Sequence, residues 1–487
     1  MNTNSNILPL PLLDEARRCL LCHDAPCSAA CASADPARAL RAIRFHNTHL
    51  AGVWLRNADT QQLQLAEQAC IHPVRPIPIL DIARNLPDTP DLDCLPDLSI
   101  DFCGIPCENP FFLASSAVCT NYGMIASALR AGWAGVFYKT ISMQDIREVS
   151  PRFDAVSSPF FAFRNMEQLS ENPADIDFDI LRRLKQDFPS KVIIASILGA
   201  DREEWSLLAQ KAERAGLDAV ELNFSCPQMK QQGLGSDVGQ NPDLVAEFTA
   251  AVRNSVSIPV IPKMTPNLTH ISLPATAAVR AGADAISAIN TVKSVTMSRH
   301  ASVAGQKTVS GLSGRAVKPI ALRFILELAQ SPELRNVPLS GVGGIETWQD
   351  ALDFIQLGCS NLQVCTAIMQ YGYRIIDDLT LGLQHHLLQR NVSSLSQLVG
   401  EQINSFTTPA GLDRETQVLP VFHHDRCIGC GRCFISCSDG GHQAIRFSDN
   451  DRQPSLNVNH CVGCLLCSLV CPSGAISASK RIRKHDR

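Results

Sequence analysis

Two cysteine runs near the C-terminus constrain this chain more than any other feature. Cys427, Cys430, Cys433 and Cys437 are spaced C-x2-C-x2-C-x3-C. Cys461, Cys464, Cys467 and Cys471 repeat the spacing, and Pro472 follows the last. This is the ligand pattern of two [4Fe–4S] clusters: three thiolates of a run bind one cluster and the fourth reaches the other. The expected sets are Cys427, Cys430, Cys433 with Cys471, and Cys461, Cys464, Cys467 with Cys437. Two zinc sites would need only paired C-x2-C units and would leave both fourth cysteines idle. A chain with this pattern moves electrons one at a time, which raises the question of what it exchanges them with.

The chain has 487 residues, too many for one ordinary domain. Most of its cysteine sits in cluster-type runs, and oxygen-sensitive clusters with free thiols point to a reducing cytoplasm. A net charge of −4 implies no nucleic acid or other polyanion partner. No apolar stretch approaches a membrane span, and the first residues lack the charged and apolar regions of a signal peptide.

Composition divides the chain into a helical, cysteine-containing region (1–85), a proline-bearing linker (86–97), a long middle region (98–410) and the two-cluster module (415–487). The middle region holds eight short apolar runs: Phe111–Ala114, Gly135–Lys139, Val192–Ile197, Ala219–Asn223, Pro259–Lys263, Ala285–Ile289, Pro338–Gly341 and Asn361–Cys365. Helical patterns such as 203–215, 243–252 and 348–357 follow them. Short strands alternating with helices imply parallel pairing, and eight such units fit a (β/α)8 TIM barrel. The predicted fold is therefore α/β, a TIM barrel with a C-terminal ferredoxin-like two-cluster module and a small helical N-terminal region.

Barrel active sites lie at the C-terminal ends of the strands. There the sequence places Ser115, Ser116, Lys139, Thr140, Asn223, Ser225, Cys226, Lys263, Asn290, Thr291, Gly343, Gly344, Cys365 and Thr366. Two lysines, two asparagines and a cysteine at one mouth are hard to explain as packing. Gly343 and Gly344 follow the seventh strand and Cys365-Thr366 the eighth, where barrels bind phosphate. With clusters nearby and no G-x-G-x-x-G turn, the cofactor expected is FMN, with no FAD or NAD on this chain; a flavin takes an electron pair and passes it on singly. Cys226 lies in Asn223-Phe224-Ser225-Cys226-Pro227, with Gly233, Gly235 and Gly239 soon after. A lone cysteine is usually a buried, inert thiol, but one carried on a loop over the mouth can act as general acid or base.

Several segments carry a family resemblance: Asn223-Phe224-Ser225-Cys226-Pro227, Val149-Ser150-Pro151-Arg152, Phe163-Arg164-Asn165-Met166-Glu167-Gln168, Lys263-Met264-Thr265-Pro266-Asn267, Ala288-Ile289-Asn290-Thr291-Val292 and Cys437-Ser438-Asp439-Gly440-Gly441-His442-Gln443. The middle region resembles the FMN barrel of class 1 dihydroorotate dehydrogenases and, more closely, of dihydropyrimidine dehydrogenases, over residues 98 to 475. It is most similar to the separate bacterial catalytic subunit of the NAD-dependent enzyme. The resemblance implies interconversion of uracil or thymine with the 5,6-dihydro form, and electron exchange through the clusters with a separate FAD/NAD-binding, PreT-like subunit in a homo-dimer or hetero-oligomer. It implies Cys226 as proton donor. It places Asn165, Glu167, Asn223, Ser225, Asn290 and Thr291 at the pyrimidine, and Ser115, Lys139, Lys263, Gly314, Gly343, Gly344 and Thr366 around FMN. Two other readings stand beside it: a dihydroorotate dehydrogenase or related heterocycle reductase, and a non-catalytic iron–sulfur electron carrier.

The N-terminal run Cys19-x2-Cys22-x4-Cys27-x3-Cys31 is a candidate third metal site. It resembles the start of a helical two-cluster domain, but only Cys70 and Cys94 follow, without the spacing of a second group. Cluster, zinc and no metal are all open. The region is expected to serve as a docking or dimer-contact arm, with iron confined to the C-terminal module.

Overall fold

The computed structural model describes residues 8–87, 95–156, 161–225, 235–297 and 308–484. Its contacts divide into two compact units, Met1–Asn404 and Ser405–Arg487.

The first unit is built on a closed barrel of eight parallel strands. These are β1 (Phe111–Leu113), β2 (Gly135–Phe137), β3 (Val192–Ile197), β4 (Ala219–Asn223), β5 (Val260–Met264), β6 (Ile286–Ala288), β7 (Leu339–Val342) and β8 (Cys359–Val364). Each strand pairs with its neighbours in sequence, and β8 closes on β1 through Leu362 opposite Phe111. All eight sequence-predicted strands are present, with ends shifted by no more than a few residues. The helices between them bury one stripe each. In Arg202–Arg214, Trp205, Leu208, Ala209 and Ala212 face the barrel at helical spacing, and the Asp201 carboxylate caps the start by accepting from the Glu204 N–H at 2.9 Å.

The barrel interior is layered. At the N-terminal end, Phe102, carried by the hairpin Ile100–Phe102/Ile105–Cys107, packs in a fully buried cluster with Phe112, Phe137, Ile194 and Ile261. The next layer is polar though equally buried: Ser196, Glu221, Ser287, Ser340, Gln363 and Lys263. Burying that many polar groups is tolerable only because they bond to one another. The Gln363 amide donates to Ser287 at 2.9 Å, to Ser340 at 3.0 Å and to Glu221 at 3.2 Å. Above them, a four-stranded antiparallel sheet unannounced by the sequence stands over the mouth. Its strands run Val292–Ser294, Ser310–Ser313, Ala162–Asn165, Phe153–Val156.

The N-terminal helices pack on the barrel's last helix, Ile375–Gln389. Arg41 donates to Asp378 at 2.6 Å, Arg38 to Asp377 at 3.1 Å, and the Asn47 amide to the Asp378 carbonyl at 2.8 Å. Phe45 meets Tyr371 edge to face. Among the described residues no helix is long and apolar enough to cross a membrane.

The second unit is small: helices Arg432–Gly440 and Leu466–Leu469, with the paired strands Thr416–Gln417/Ile482–Arg483, Pro420–Phe422/Ile476–Ala478 and Ile445–Phe447/Pro454–Leu456.

Candidate active site and cluster sites

A cavity of about 1190 Å³, open solvent included, occupies the C-terminal end of the barrel. Fifteen of the sequence-predicted residues line it: Ser115, Ser116, Lys139, Thr140, Asn165, Glu167, Asn223, Lys263, Asn290, Thr291, Gly314, Gly343, Gly344, Cys365 and Thr366. Ser225 stands behind the wall, fully buried. Cys226 lies outside the described residues.

The wall is a connected polar network. The Asn223 amide nitrogen donates to Thr140 at 2.9 Å, and its oxygen accepts from the Ser225 hydroxyl at 2.9 Å and the Asn290 amide at 3.2 Å. Asn290 also donates to the Ser225 hydroxyl at 2.7 Å and accepts from the Thr291 N–H at 2.8 Å. Both asparagines are thereby held in one orientation. Gly311, in the covering sheet, leaves room for this wall, since a Cβ there would collide with the Thr291 side chain.

Two buried lysines reach the cavity, and each meets a carboxylate. The Lys139 ammonium lies 2.8 Å from Glu167, whose other oxygen is 3.2 Å from Arg152. The Lys263 ammonium lies 3.5 Å from the fully buried Glu221 and donates to Gln363 at 3.4 Å. Glu221 and Gln363, the counter-groups that make a buried Lys263 tolerable, were missed by sequence reasoning. The signal was present: two polar residues inside otherwise apolar strands. Burial pushes the Cys365 thiol up from its ordinary value.

Gly314, Gly343 and Gly344 all take positive φ. A Cβ on Gly344 would stand 2.9 Å from the Gly314 carbonyl oxygen and 2.8 Å from the Lys318 Cβ. Only glycine fits this turn. The chain makes a close backbone cradle beside Thr366, whose hydroxyl lies 2.9 Å from that of Ser313. A glycine cradle at one end and a polar, amide-lined chamber at the other suit a phosphate-bearing planar group such as FMN.

In the second unit the cysteines gather in two cavities. One is lined by Cys427, Cys430, Cys433 and Cys471, the other by Cys437, Cys461, Cys464 and Cys467. These are the crossed sets that the spacing predicts. The two halves match in detail: the Ala444 N–H points at Cys437 Sγ and the Ala475 N–H at Cys471 Sγ, both at 3.3 Å. Burial pushes the Cys467 thiol up to about 11, so ligation must expel its proton.

A flavin-type barrel joined to a two-cluster unit defines an iron–sulfur flavoprotein oxidoreductase. The chain belongs to the dihydroorotate dehydrogenase family, whose model matches residues 97–387, and a 4Fe-4S dicluster domain matches residues 421–478. It is 50% identical over 367 residues to subunit PreA of the NAD-dependent dihydropyrimidine dehydrogenase of Escherichia coli K12, covering 74% of this chain and 89% of that one. It is 34% identical to the chloroplastic NADP(+) dihydropyrimidine dehydrogenase of Arabidopsis thaliana over 65% of this chain and 79% of the plant chain. To the catalytic subunit of dihydroorotate dehydrogenase B of Pyrococcus abyssi it is 37% identical, over 62% of this chain and 98% of the relative.

Proposed function

We propose that the chain is the pyrimidine-reducing subunit of an NAD-dependent dihydropyrimidine dehydrogenase. It interconverts uracil or thymine with the 5,6-dihydro form and exchanges electrons with a separate FAD- and NAD-binding subunit. The observation that carries this reading is the amide wall of Asn223 and Asn290, with Asn165 and Thr291 on the same cavity. Uracil alternates C=O and N–H groups around its edge, and an asparagine amide offers a partner to each. Amides fixed by their own neighbours reject rings that lack the matching group.

Charge supports a neutral ring over a carboxylate-bearing one such as orotate. Among the described residues lining the cavity, the cations are Lys139, Lys263 and Arg315, and each is paired, with Glu167, Glu221 and Glu346 at 2.8, 3.5 and 2.9 Å. None is left over for a substrate carboxylate.

Reduced FMN, when bound, would supply a hydride to C6 of the ring, and the clusters would supply one-electron exchange with the partner. Gly314, Gly343, Gly344 and Thr366 would hold the phosphate, and Ser115, Ser116, Thr140 and Cys365 would flank the cofactor. Lys139 and Lys263 would set positive charge beside its ring. Cys226 follows directly on Ser225 and would hand a proton to C5. Clusters and free thiols suit a reducing cytoplasm.

The test is a half-reaction. Dihydrouracil or dihydrothymine added anaerobically to the purified chain should bleach the flavin absorbance, and NADH should do so only with a partner flavoprotein present. Bleaching by dihydroorotate but by neither dihydropyrimidine would overturn the assignment.

A further inference from the structure

The N-terminal region carries a third cavity built like the two C-terminal ones. It is lined by Cys19, Cys22, Cys27 and Cys70, with apolar neighbours such as Leu40 and Ile79. Its empty volume is about 390 Å³, against 370 and 360 Å³ for the two C-terminal cavities. Neither family match reaches this segment, since they begin at residues 97 and 421.

The backbone repeats as well. In each loop the residue just before the second cysteine takes positive φ: Gly429 at 64°, Gly463 at 74° and Leu21 at 54°. The residue two places before the third cysteine does so too, as a left-handed helix N-cap: Gly431 at 71°, Leu465 at 56° and Ala25 at 33°. The third cysteine is then the second residue of a helix, in Arg432–Gly440, Leu466–Leu469 and Pro26–Ala29. The fourth thiol comes from elsewhere in the chain each time. Leucine and alanine rarely adopt positive φ. Holding it at Leu21 and Ala25 turns three thiols toward one space, as Gly429, Gly431, Gly463 and Leu465 do in the C-terminal unit.

We propose that Cys19, Cys22, Cys27 and Cys70 hold a third iron–sulfur cluster of the four-iron type. This replaces the expectation that iron is confined to the C-terminal module, and it replaces Cys31 as a ligand. Cys31 is 2% exposed within the apolar core of the N-terminal helices and does not line the cavity. Cys70 reaches the cavity because the capped helix Thr60–Gln68 ends there. Among the described residues no group of three or more His, Cys, Asp or Glu side chains is placed to hold a single metal ion. The four thiols stand around a space instead, as both C-terminal sets do. On ligation each thiol gives its proton to solvent and the site becomes anionic. Arg374, from the barrel, donates to the carbonyls of Leu21 at 2.6 Å and Cys22 at 3.3 Å and supplies positive charge beside it.

The test is iron and acid-labile sulfide per FMN in the full chain, purified anaerobically and reconstituted with iron and sulfide. Three four-iron clusters give about twelve irons. Cys70→Ala should fall to about eight with FMN retained, and Cys31→Ala should stay at about twelve. Eight irons in the unsubstituted protein, with or without zinc, would overturn the proposal. So would twelve irons in Cys70→Ala. The count on the unsubstituted protein stands even if a variant fails to fold.

Discussion

The barrel mouth and the C-terminal unit reach redox chemistry by opposite routes. The mouth rests on a core complete in itself: its floor of Ser287, Ser340, Gln363, Glu221 and Lys263 is buried and internally bonded. In the C-terminal unit the buried apolar cluster is Cys433, Ile445, Cys467 and Ile476, so half of it is thiol. The sulfurs that ligate iron are also the core. Removing the cofactor from the first region should therefore cost chemistry, and removing it from the second should cost the fold.

The largest expected effect breaks the second region. Structural metal ligation is worth on the order of 10 kcal/mol to a small domain. Cys433→Ala, or chelation of the iron, should make the segment after Ser405 open to protease while the barrel keeps its FMN and its dihydropyrimidine half-reaction. Protease resistance in an iron-free C-terminal unit would remove the contrast.

In the barrel the corresponding change is chemical. Cys226→Ala should lower turnover by ~10²–10⁴-fold, the usual contribution of a general acid, with FMN and iron contents unchanged. Cys226→Ser should retain more, because a hydroxyl still relays a proton. Near-normal turnover in the alanine variant would make the thiol structural.

A smaller effect is expected at the cradle. Gly344 takes φ +80° and has no room for a Cβ. Backbone strain of this kind costs about 1–3 kcal/mol, so Gly344→Ala should weaken FMN binding by ~5- to 150-fold. Retention of FMN through gel filtration at unchanged affinity would show that the cradle is not the phosphate site.

The same contrast governs what the sequence displays. The crossed cysteine sets are written in local spacing, and the eight barrel strands in alternating apolar runs, so both could be read directly. The covering sheet could not: its strands are short, 153–156 pairs with 162–165, which pairs in turn with 310–313, and nothing local announces a partner almost 150 residues away. Glu221 and Gln363 sit in strand interiors, whereas barrel sites are announced at strand ends. Cys70 shows the same limit from the other side. Its partners are about fifty residues upstream, joined to it only by the packing of the N-terminal helices.

Those helices supply the smallest effect and a last contrast, because their seam with the barrel titrates. His49 lies 5.4 Å from His385 ring to ring, and Trp348 lies against His386. Burial lowers all three histidines from the ordinary value of 6.5. Among the described groups, His385 Nδ1 and His386 Nε2 are buried without a partner, so an added proton would find none. A lowered folded-state pKa means that the unfolded chain binds protons first, and stability is lost as pH falls below about 6.5. Asp378 in the same seam runs the other way. Burial, opposed by Arg41, holds its carboxyl at about 6, above its ordinary 3.8, so charging it costs stability as pH rises through that interval. The two dependences overlap and partly cancel between pH 4 and 6. Below pH 6.5 three histidines act against one carboxyl in this seam, so the melting temperature of the barrel unit should fall as pH drops from 6.5 to 6. A His49→Gln, His385→Gln double variant should flatten the fall while leaving the iron content untouched. An unchanged slope in the variant would place the acid sensitivity elsewhere in the barrel unit.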